Sequence, residues 1–397
     1  MNKNIASLAR IAAKKNRTII GLMSGTSMDG LDVALCDISG SGLRTKLKLR
    51  AFETVPFEPE VKARIGEVFA KSTIDFELLC ILNPWLGRLH ADLVMKCLKK
   101  WKISPQKIDL IASHGQTVYH SPASQHPEDD INATLQIGDG DQIAVRTGIP
   151  TISDFRQKHI AKGGEGAPLA VYGDYLLLSH NTENRILLNI GGIANFTYLP
   201  AGHKANQVFV TDTGPGNTLI DHVTRRLFPG EYYDKDAARA RQGTVNASLL
   251  KALKSDRFFK LPFPKTTGPE VFSMGYVQTA QETSDTIDLA PEDLLATLTR
   301  FSAETIAAAI KQATGKKKFT IYLSGGGAHN PLLTQWLREL LNVDDLKTTG
   351  AIGVPGDAKE AILFAVLANE TVAGGVTDFG RRSKIPSVSM GKISFPT

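Results

Sequence analysis

Two pairs of apolar stretches, each interrupted by a short glycine-containing turn, recur in the two halves of the chain. The first pair is Thr18–Met23 and Leu31–Ile38, separated by SGTSMDG, and the second lies within Arg185–Leu199 around Gly191–Gly192. Apolar runs of this length, bounded by small turn-forming residues, are typical of β-hairpins. Because the pattern returns, we expect two related halves.

Helical spacing of apolar residues alternates with these strands. The region 60–100 has this spacing and precedes a short apolar strand at Ile108–His114. Later segments, Pro291–Ala313 and Asp357–Ala373, are long and helical in pattern, and Asp357 is the expected N-cap of the second. The alternation of strands and helices predicts an α/β fold.

The composition is that of an ordinary globular protein. The 397 residues are 42% hydrophobic and 22% charged, which excludes disorder, collagen and coiled coil and allows two domains. The 46 Lys and Arg residues exceed the 40 Asp and Glu residues, but apart from short runs such as Lys316–Lys318 the basic residues are scattered. Because nucleic-acid binding needs a concentrated basic patch, no nucleic acid partner is expected.

The N-terminus and the cysteines bear on location. The first seventeen residues are basic and free of acids, as in a transit peptide, but a short surface helix or ragged terminus is the favoured interpretation. No apolar run approaches the roughly 20 residues of a membrane helix, so no membrane partner is expected. Cys36, Cys80 and Cys97 lack disulfide or metal-site spacing, which indicates a reducing compartment.

The segment Ser24–Gly30 combines glycines with hydroxyl side chains and a carboxylate. Glycines let backbone N–H groups approach an anion, so the segment predicts a phosphate-binding turn. It is neither a Walker A loop, since GK[ST] is absent, nor a dinucleotide fingerprint, since a second strand rather than a helix follows. A plain hairpin turn is the alternative.

Asp212 is the candidate catalytic carboxylate. It follows the apolar strand Gln207–Thr211 and precedes glycines and a helix that opens near Leu219. Carboxylates at strand ends beside helix N-termini often take part in catalysis. An Asx turn or a helix cap is the alternative.

Other polar and glycine-rich segments are weaker candidates. Gly191–Gly192 offers a second backbone approach to an anion, and Ser324–Gly327 offers a flat surface for a base or ribose, although close packing would also use glycine. His114–Gln116, Asp154–Arg156 and Gly163–Pro168 are suited either to substrate contact or to turns and a polar hinge.

Taken in order, ten segments of the chain resemble the anhydro-N-acetylmuramic acid kinase family. They run from Gly21 to about Pro386 and read GLMSGTSMDGLDVAL, ASHGQTVYH, LQIGDGDQIAVRTGI, DFR, GGEGAPL, LNIGGIAN, DTGPGN, YDKDA, PKTTG and GGGAHNPLL. The resemblance implies an α/β, two-lobed actin-like or hexokinase-like ATPase fold with a nucleotide cleft between the lobes. We expect residues 1–152 and 376–397 to form the first lobe and residues 153–375 the second.

The resemblance also assigns roles to residues. Asp212 matches the family's catalytic carboxylate and is expected to be the general base. The implied ATP-binding residues lie in the two hairpin turns and the triglycine turn: Gly25, Thr26, Ser27, Met28, Asp29, Gly30, Leu31, Asp32, Gly191, Gly192, Gly325, Gly326 and Gly327. The implied substrate-binding residues are His114, Gln116, Asp154, Arg156 and Gly164. Mg²⁺ is expected with ATP, and Asp29 or Asp32 is suited to hold it through water.

The implied reaction is an unusual phosphoryl transfer. Water opens the 1,6-anhydro bridge of anhydro-N-acetylmuramic acid at the anomeric carbon, and the released O6 takes the γ-phosphate, giving N-acetylmuramic acid 6-phosphate. The chain departs from the usual family pattern at Glu165, at Pro269 and in the ending PSVSMG. Levoglucosan shares the anhydro bridge and is the alternative substrate, but paired Gly163–Gly164 favours the muramic-acid branch.

Other classes of protein with this fold remain as alternatives. An actin-like or chaperone-like ATPase would act without a sugar, but a chaperone needs a peptide-binding domain and only 22 residues follow Gly375. A sugar-responsive repressor needs an N-terminal helix-turn-helix, for which about 17 residues are too few. We therefore expect an anhydro-sugar as the small-molecule partner and a location in the cytoplasm of a bacterium that recycles its wall. A homodimer is compatible with the sequence.

Overall fold

Two compact units make up the structure, a computed structural model that describes residues 1–126, 128–268, 270–380 and 385–397. The first unit comprises Met1–Leu178 and Asp357–Thr397, and the second comprises Ser179–Gly356. Each unit contains one β-sheet together with helices, which confirms the predicted α/β class.

The sheet of the first unit has seven strands. They are β1 (Asn16–Ser24), β2 (Gly30–Ser39), β3 (Lys46–Pro56), β4 (Leu110–Ser121), β5 (Ala133–Ile137), β6 (Thr151–Ser153) and β12 (Lys392–Ser394). Their order is β12-β6-β4-β1-β2-β3, and β5 pairs with the second half of β4. Strands β1, β2 and β3 form an antiparallel meander, whereas β4 runs parallel to β1 and β6 parallel to β4. The predicted first hairpin therefore lies at the centre of this sheet.

Helix α12 covers the central strands of the first unit. The helices of this unit are α1 (Lys3–Ala13), α2 (Pro59–Gly66), α3 (Phe76–Lys100), α4 (Gly140–Thr147), α5 (Phe155–Ala161), α6 (Ala170–Leu178) and α12 (Lys359–Ala373). Helix α12 packs against β1, β2 and β4, and α3 packs against α4. Apolar side chains such as Ile20, Leu35 and Leu86 are fully buried in the core.

The sheet of the second unit repeats this topology. Its strands are β7 (Asn184–Ile190), β8 (Ile193–Leu199), β9 (Phe209–Pro215), β10 (Phe319–Ser324) and β11 (Lys347–Thr348). Their order is β11-β10-β7-β8-β9, with β7, β8 and β9 antiparallel and β10 and β11 parallel to β7. In each sheet an antiparallel meander of three strands begins at a central strand, β1 or β7, and two further strands run parallel to it on the other side; β12, at the edge of the first sheet, pairs antiparallel with β6. The predicted relation between the two halves is confirmed at the level of strand order.

Helix α10 forms the centre of the second unit's helical layer. The helices of this unit are α7 (Thr218–Leu227), α8 (Ala247–Leu253), α9 (Met274–Ser284), α10 (Pro291–Thr314) and α11 (Pro331–Leu341). Helix α10 contacts α7, α8, α11, β8 and β9, and most of its residues between Leu294 and Ile310 are buried. This extended burial explains why its apolar pattern was readable from the sequence.

The boundaries between the units differ from the expected positions at 152/153 and 375/376. Strand β6 pairs with β4, and helix α6 packs against α12, so the first unit extends to Leu178. Because α12 packs on β1, the chain belongs to the first unit again from Asp357. Both differences arise from contacts between residues that are far apart in sequence.

The start of α12 also differs from the prediction. The helix begins at Lys359, and the preceding residue is Ala358, which has helical backbone angles and makes no side-chain cap. Asp357 is therefore not the N-cap. Fully buried Ala358 continues the packed surface of the helix, whereas Asp357 lies in an exposed turn.

The N-terminal segment forms helix α1, as the favoured interpretation predicted. The Asn2 side chain accepts a hydrogen bond from the Asn4 N–H group (2.8 Å) and caps the helix. Ile11 is the buried residue of this helix. No helix in the described ranges of the chain is both long enough and apolar enough to span a membrane.

Gly21→Ala should destabilise the first unit. A Cβ atom at Gly21 would lie 1.9 Å from the carbonyl oxygen of Ala361, so α12 would have to move away from β1. Overpacking of this kind costs about 1–3 kcal/mol and occasionally more. Urea unfolding followed by circular dichroism measures the free energy of unfolding. Gly66→Ala in α2 is the matched control, because its Cβ would meet no atom within 4 Å, and an equal loss in both variants would contradict the packing argument.

Candidate active site

The first glycine turn joins β1 to β2 and exposes its polar groups. A hydrogen bond from the Met28 N–H group to the Gly25 carbonyl (3.2 Å) closes the turn. Thr26, Ser27 and Asp29 are exposed. Hydroxyl and backbone groups are thus presented at the end of a buried central strand, the arrangement that an anion-binding turn requires.

The next three predicted nucleotide contacts begin strand β2. Gly30 packs against the backbone of β3, and Leu31 is fully buried in the apolar core. Asp32 is half-buried, and its carboxylate accepts a hydrogen bond from the Thr54 hydroxyl (2.6 Å). Burial raises the pKa of the Asp32 carboxyl above its ordinary value. Of these three side chains, Asp32 is the one with polar atoms to offer a ligand.

Gln116 on β4 holds the first glycine turn through hydrogen bonds. Its buried side chain accepts a hydrogen bond from the Ser24 hydroxyl (2.5 Å) and donates one to the Gly25 carbonyl (3.2 Å). Both ends of the amide are therefore bonded within the protein. In this arrangement Gln116 holds the turn in its conformation.

His114, two residues earlier on β4, orients Arg156. The His114 Nε2 atom accepts a hydrogen bond from the Arg156 Nε–H group (2.9 Å), and the other ring nitrogen donates to the Gly115 carbonyl (2.8 Å). Burial and the neighbouring guanidinium lower the pKa of His114 to about 3. Burial also lowers the pKa of Arg156, to about 10. At neutral pH a neutral histidine therefore holds a charged arginine.

Helix α5 clamps the glycine-rich loop that follows it. Arg156 donates to the Gly166 carbonyl (2.6 Å), and His159 Nδ1 accepts the Gly166 N–H group (3.0 Å). Gly164 lies on the imidazole of His159, where a Cβ atom would come within 2.2 Å of the ring. The predicted residues His114, Arg156 and Gly164 are thus brought together around one loop.

Asp154 lies beside this group but has a different partner. It adopts a left-handed conformation (φ 56°) immediately before α5, and its carboxylate forms an ion pair with Lys392 of β12. The predicted Asp154 therefore faces the C-terminal strand rather than the neighbouring guanidinium.

The second glycine turn is held by the start of α7. The N–H groups of Gly216 and Thr218 donate to the Gly192 carbonyl (2.7 and 3.1 Å), and the Asn217 N–H group donates to the Gly191 carbonyl (2.8 Å). The turn after β7 and the N-terminus of the helix after β9 therefore form one hydrogen-bonded group.

The triglycine turn packs against the same hairpin. A Cβ atom at Gly327 would lie 2.2 Å from the Ile190 side chain, and one at Gly325 would lie 2.7 Å from the Ile190 carbonyl. At Gly326 a Cβ atom would meet nothing closer than the Asn217 amide nitrogen at 3.9 Å. The two predicted glycine groups of the second unit are thus neighbours, with open backbone surface at Gly326.

Asp212 lies within β9 rather than at its end, because β9 continues to Pro215 beside β8. Its half-buried carboxylate accepts a hydrogen bond from the Thr267 N–H group (2.8 Å). Burial raises the pKa of Asp212 to about 6, and the hydrogen bond from Thr267 acts in the opposite direction. A carboxylate with a pKa just below neutrality is ionised at pH 7 and still basic enough to take a proton.

Two residues beside Asp212 were not among the predicted site residues. Thr267 donates to its carboxylate, and the Lys265 carbonyl accepts the Asp212 N–H group (2.9 Å). They are separated from β9 by more than 50 residues, so local pattern could not link them. The available signal was the PKTTG segment, one of the ten that carry the family resemblance.

The described ranges contain no group of three or more His, Cys, Asp or Glu side chains that could hold a metal ion. A Mg²⁺ ion that arrives on ATP needs only one or two protein carboxylates, because phosphates and waters complete its shell. Exposed Asp29 and half-buried Asp32 fit that requirement.

Known proteins resemble the chain over its whole length. The family model described as anhydro-N-acetylmuramic acid kinase matches residues 17–379. An anhydro-N-acetylmuramic acid kinase from Pseudoalteromonas atlantica is 56% identical over 400 residues and covers 100% of both chains. One from Caldanaerobacter subterraneus is 42% identical and covers 98% of this chain and 99% of its own. The chain belongs to the anhydro-N-acetylmuramic acid kinase family.

Solved structures match more distantly. A ROK family glucokinase from Streptomyces griseus, crystallised with glucose and AMPPNP, is 12% identical and aligns over 88% of this chain and 98% of its own, with a TM-score of 0.33.

Membership of the anhydro-N-acetylmuramic acid kinase family confirms the resemblance and does not favour the levoglucosan or chaperone-like alternatives. Of the departures from the family pattern, Glu165 is exposed on the loop held by α5. Pro269 lies outside the described residues. In the ending PSVSMG, Met390 is buried.

Asp212→Asn should stabilise the ligand-free protein above pH 6. The pKa of Asp212, about 6, exceeds the ordinary aspartate value of 3.8, so between these values the folded state keeps a proton that the unfolded state releases. This contribution to stability is full below about pH 4 and is lost as the pH rises through 6. The neutral amide avoids the loss, and we expect a gain of about 3 kcal/mol at pH 8.

Urea unfolding at pH 4.5 and pH 8 checks this prediction. The gain in the free energy of unfolding should be much smaller at pH 4.5 than at pH 8, because the folded-state carboxyl is still mostly protonated at pH 4.5. Asp29→Asn, on the exposed first turn, is the matched control for the same change of a carboxylate to an amide. An Asp212→Asn gain of equal size at both pH values would show that ionisation is not its cause.

Proposed function

We propose that the protein is an ATP-dependent kinase that opens the 1,6-anhydro ring of anhydro-N-acetylmuramic acid and phosphorylates O6. The observation that carries the proposal is Asp212, a half-buried carboxylate with a pKa of about 6 that is held by the Thr267 N–H group. It lies in the DTGPGN segment, which belongs to the family pattern.

In the proposed reaction, Asp212 removes one proton from the attacking water. Asp212 takes a proton from water as the water oxygen forms a bond to the anomeric carbon, and the bond from that carbon to the bridging oxygen breaks. The electron pair remains on O6, which attacks the γ-phosphorus of ATP, and ADP leaves. The products are N-acetylmuramic acid 6-phosphate and ADP, with the proton on Asp212 released to solvent.

The glycine turns supply the nucleotide contacts in this proposal. The turn of the first unit, fixed by Gln116, and the turn at Gly191–Gly192 present backbone N–H groups to phosphate oxygens. The open surface at Gly326 suits the adenosine. Hydrogen bonds to the carbonyls of Gly25, Gly191 and Gly192 fix both turns, so their N–H groups need little reorganisation as charge develops on the phosphates.

The loop held by α5 supplies the sugar contacts. Arg156 keeps its charge next to neutral His114, and a guanidinium is suited to the lactyl carboxylate of a muramic acid. Levoglucosan has no such carboxylate. This chemical difference favours the muramic-acid substrate over levoglucosan for this chain.

A divalent ion accompanies the nucleotide. When bound, Mg²⁺ neutralises charge on the β- and γ-phosphates, and Asp29 or Asp32 would hold it through water. Because both ATP and an internalised wall fragment are required, we assign the protein to the bacterial cytoplasm.

ATP consumption with three sugars tests the substrate. We expect turnover with anhydro-N-acetylmuramic acid, at least about tenfold lower kcat/KM with levoglucosan because the charged contact is lost, and none with N-acetylmuramic acid, which has no bridge. Coupled ADP release measures the rates, and oxygen-18 from solvent should appear at the anomeric carbon. Phosphorylation of N-acetylmuramic acid alone would contradict the bridge-opening reaction.

Asp212→Asn should remove the proposed base while keeping the shape of the side chain. We expect kcat to fall by about 10²–10⁴-fold, as for other lost general bases, with small changes in both KM values. Steady-state kinetics on anhydro-N-acetylmuramic acid measures this. Asp154→Asn is the control: because Asp154 precedes α5, which holds the proposed sugar loop, its replacement should act through that loop and mainly raise the sugar KM. If Asp154→Asn is inactive while Asp212→Asn turns over normally, the two roles must be exchanged.

A further inference from the structure

Lys265 is a nearly buried cation that the proposed reaction does not use. Its residue is 8% exposed, and within the described ranges it forms no ion pair with a carboxylate. Instead, its ammonium group donates to the Phe258 carbonyl (2.9 Å). It also lies 4.4 Å from the ring centre of Phe258, 5.6 Å from that of Phe263 and 5.8 Å from that of Phe259. A cation against aromatic faces is stabilised by their quadrupoles, more strongly when water is excluded.

The backbone of the same residue is bonded to strand β9. The Lys265 N–H group donates to the Thr211 hydroxyl (3.1 Å), and the Lys265 carbonyl accepts the Asp212 N–H group (2.9 Å). Two residues later, the Thr267 N–H group reaches the Asp212 carboxylate (2.8 Å). Residues 265–267, which we call the strap, therefore bond both the backbone and the side chain of Asp212.

We infer that Lys265 is a positioning residue for Asp212, and this inference rests on the proposed function. The ammonium holds one end of the strap against Phe258 and its neighbouring rings, and the strap holds the carboxylate through Thr267. A hydrogen bond to the ionised form of an acid stabilises that form. The aromatic site therefore fixes both the direction of the carboxylate and its affinity for a proton.

The cavity on which Lys265 lies offers a matched control. It measures about 420 Å³ and is also lined by Lys254, Phe259, Glu304 and Thr305. Lys254 forms an ion pair with Glu304 (2.5 Å), which Arg300 also contacts. Lys254 thus shares the cavity and the charge of Lys265, and among the hydrogen bonds and ion pairs of the described residues none joins it to the strap.

Lys265→Met tests the inference, because methionine fills similar space without the charge or the donor. We expect single-turnover rates at pH 7.5 to fall about tenfold or more, with both KM values within about threefold of wild type. The acidic limb of the rate–pH profile should move to higher pH by about half a unit to one unit, because the carboxylate loses a well-aligned hydrogen-bond donor. Lys265→Arg, which keeps a cation, should restore part of the shift, and Lys254→Met should leave the profile unchanged.

Thr211→Val gives an independent variant if Lys265→Met folds poorly. It removes the hydroxyl that accepts the Lys265 N–H group while leaving the aromatic site intact, and it should shift the acidic limb in the same direction. A purely structural role would lower the thermal midpoint and leave the limb in place. The inference is overturned if Lys265→Met has the wild-type rate and the wild-type acidic limb of the rate–pH profile. If Lys265→Met does not fold, the same result in Thr211→Val overturns it.

Asp212→Asn, measured alongside, separates the two hypotheses. If this variant loses turnover while the strap variants behave as wild type, Lys265 has no positioning role and the base assignment stands. If Asp212→Asn keeps wild-type turnover, the proposed role of Asp212 fails, whatever the strap variants do.

Discussion

Each unit depends on a central strand that is hydrogen-bonded along both edges. Strand β1 lies between β2 and β4, and β7 lies between β8 and β10. In both cases one neighbour is antiparallel and the other parallel. Because such a strand has no free edge, the turn that follows it emerges at a position set by its neighbours. The two glycine turns therefore occupy equivalent positions in their own sheets, and each is held by residues from a strand or helix that follows later in the chain.

Asp212 shows how the structure balances solvation against hydrogen bonding. Burial favours the protonated acid, and the Thr267 N–H group favours the carboxylate. Neither effect alone gives a group that is charged at neutral pH and still a good proton acceptor. The strap supplies the hydrogen bond from Thr267. The Lys265 ammonium, held against Phe258, keeps the Thr267 N–H group aligned with β9. Burying this charge costs the folded protein free energy, and in the proposed reaction the result is a carboxylate that can take a proton from water.

The sequence was informative wherever structure is local. Both hairpins and the long helix α10 followed from the spacing of apolar residues, because one face or one strand decides each of them. The candidate site was predicted from motifs, and its glycine groups are neighbours in the second unit. Features that join distant segments were not predictable. Gln116 bonds a turn about 90 residues away, and Lys265 bonds a strand more than 50 residues away. The start of α12 was also not predictable. Asp357 is not the N-cap because Ala358 packs as part of the helix surface, and the local sequence does not show that packing.

Strand β4 contains a bulge at Gly115, which has a left-handed φ of 76° and lies where the pairing with β1 shifts register. The bulge separates His114, which holds Arg156, from Gln116, which holds the first turn. One additional residue in a strand changes the direction of the side chains on either side of it. The Arg156 guanidinium and the first glycine turn are therefore held by side chains of one strand, and their spacing cannot change without disturbing the pairing of β4 with β1.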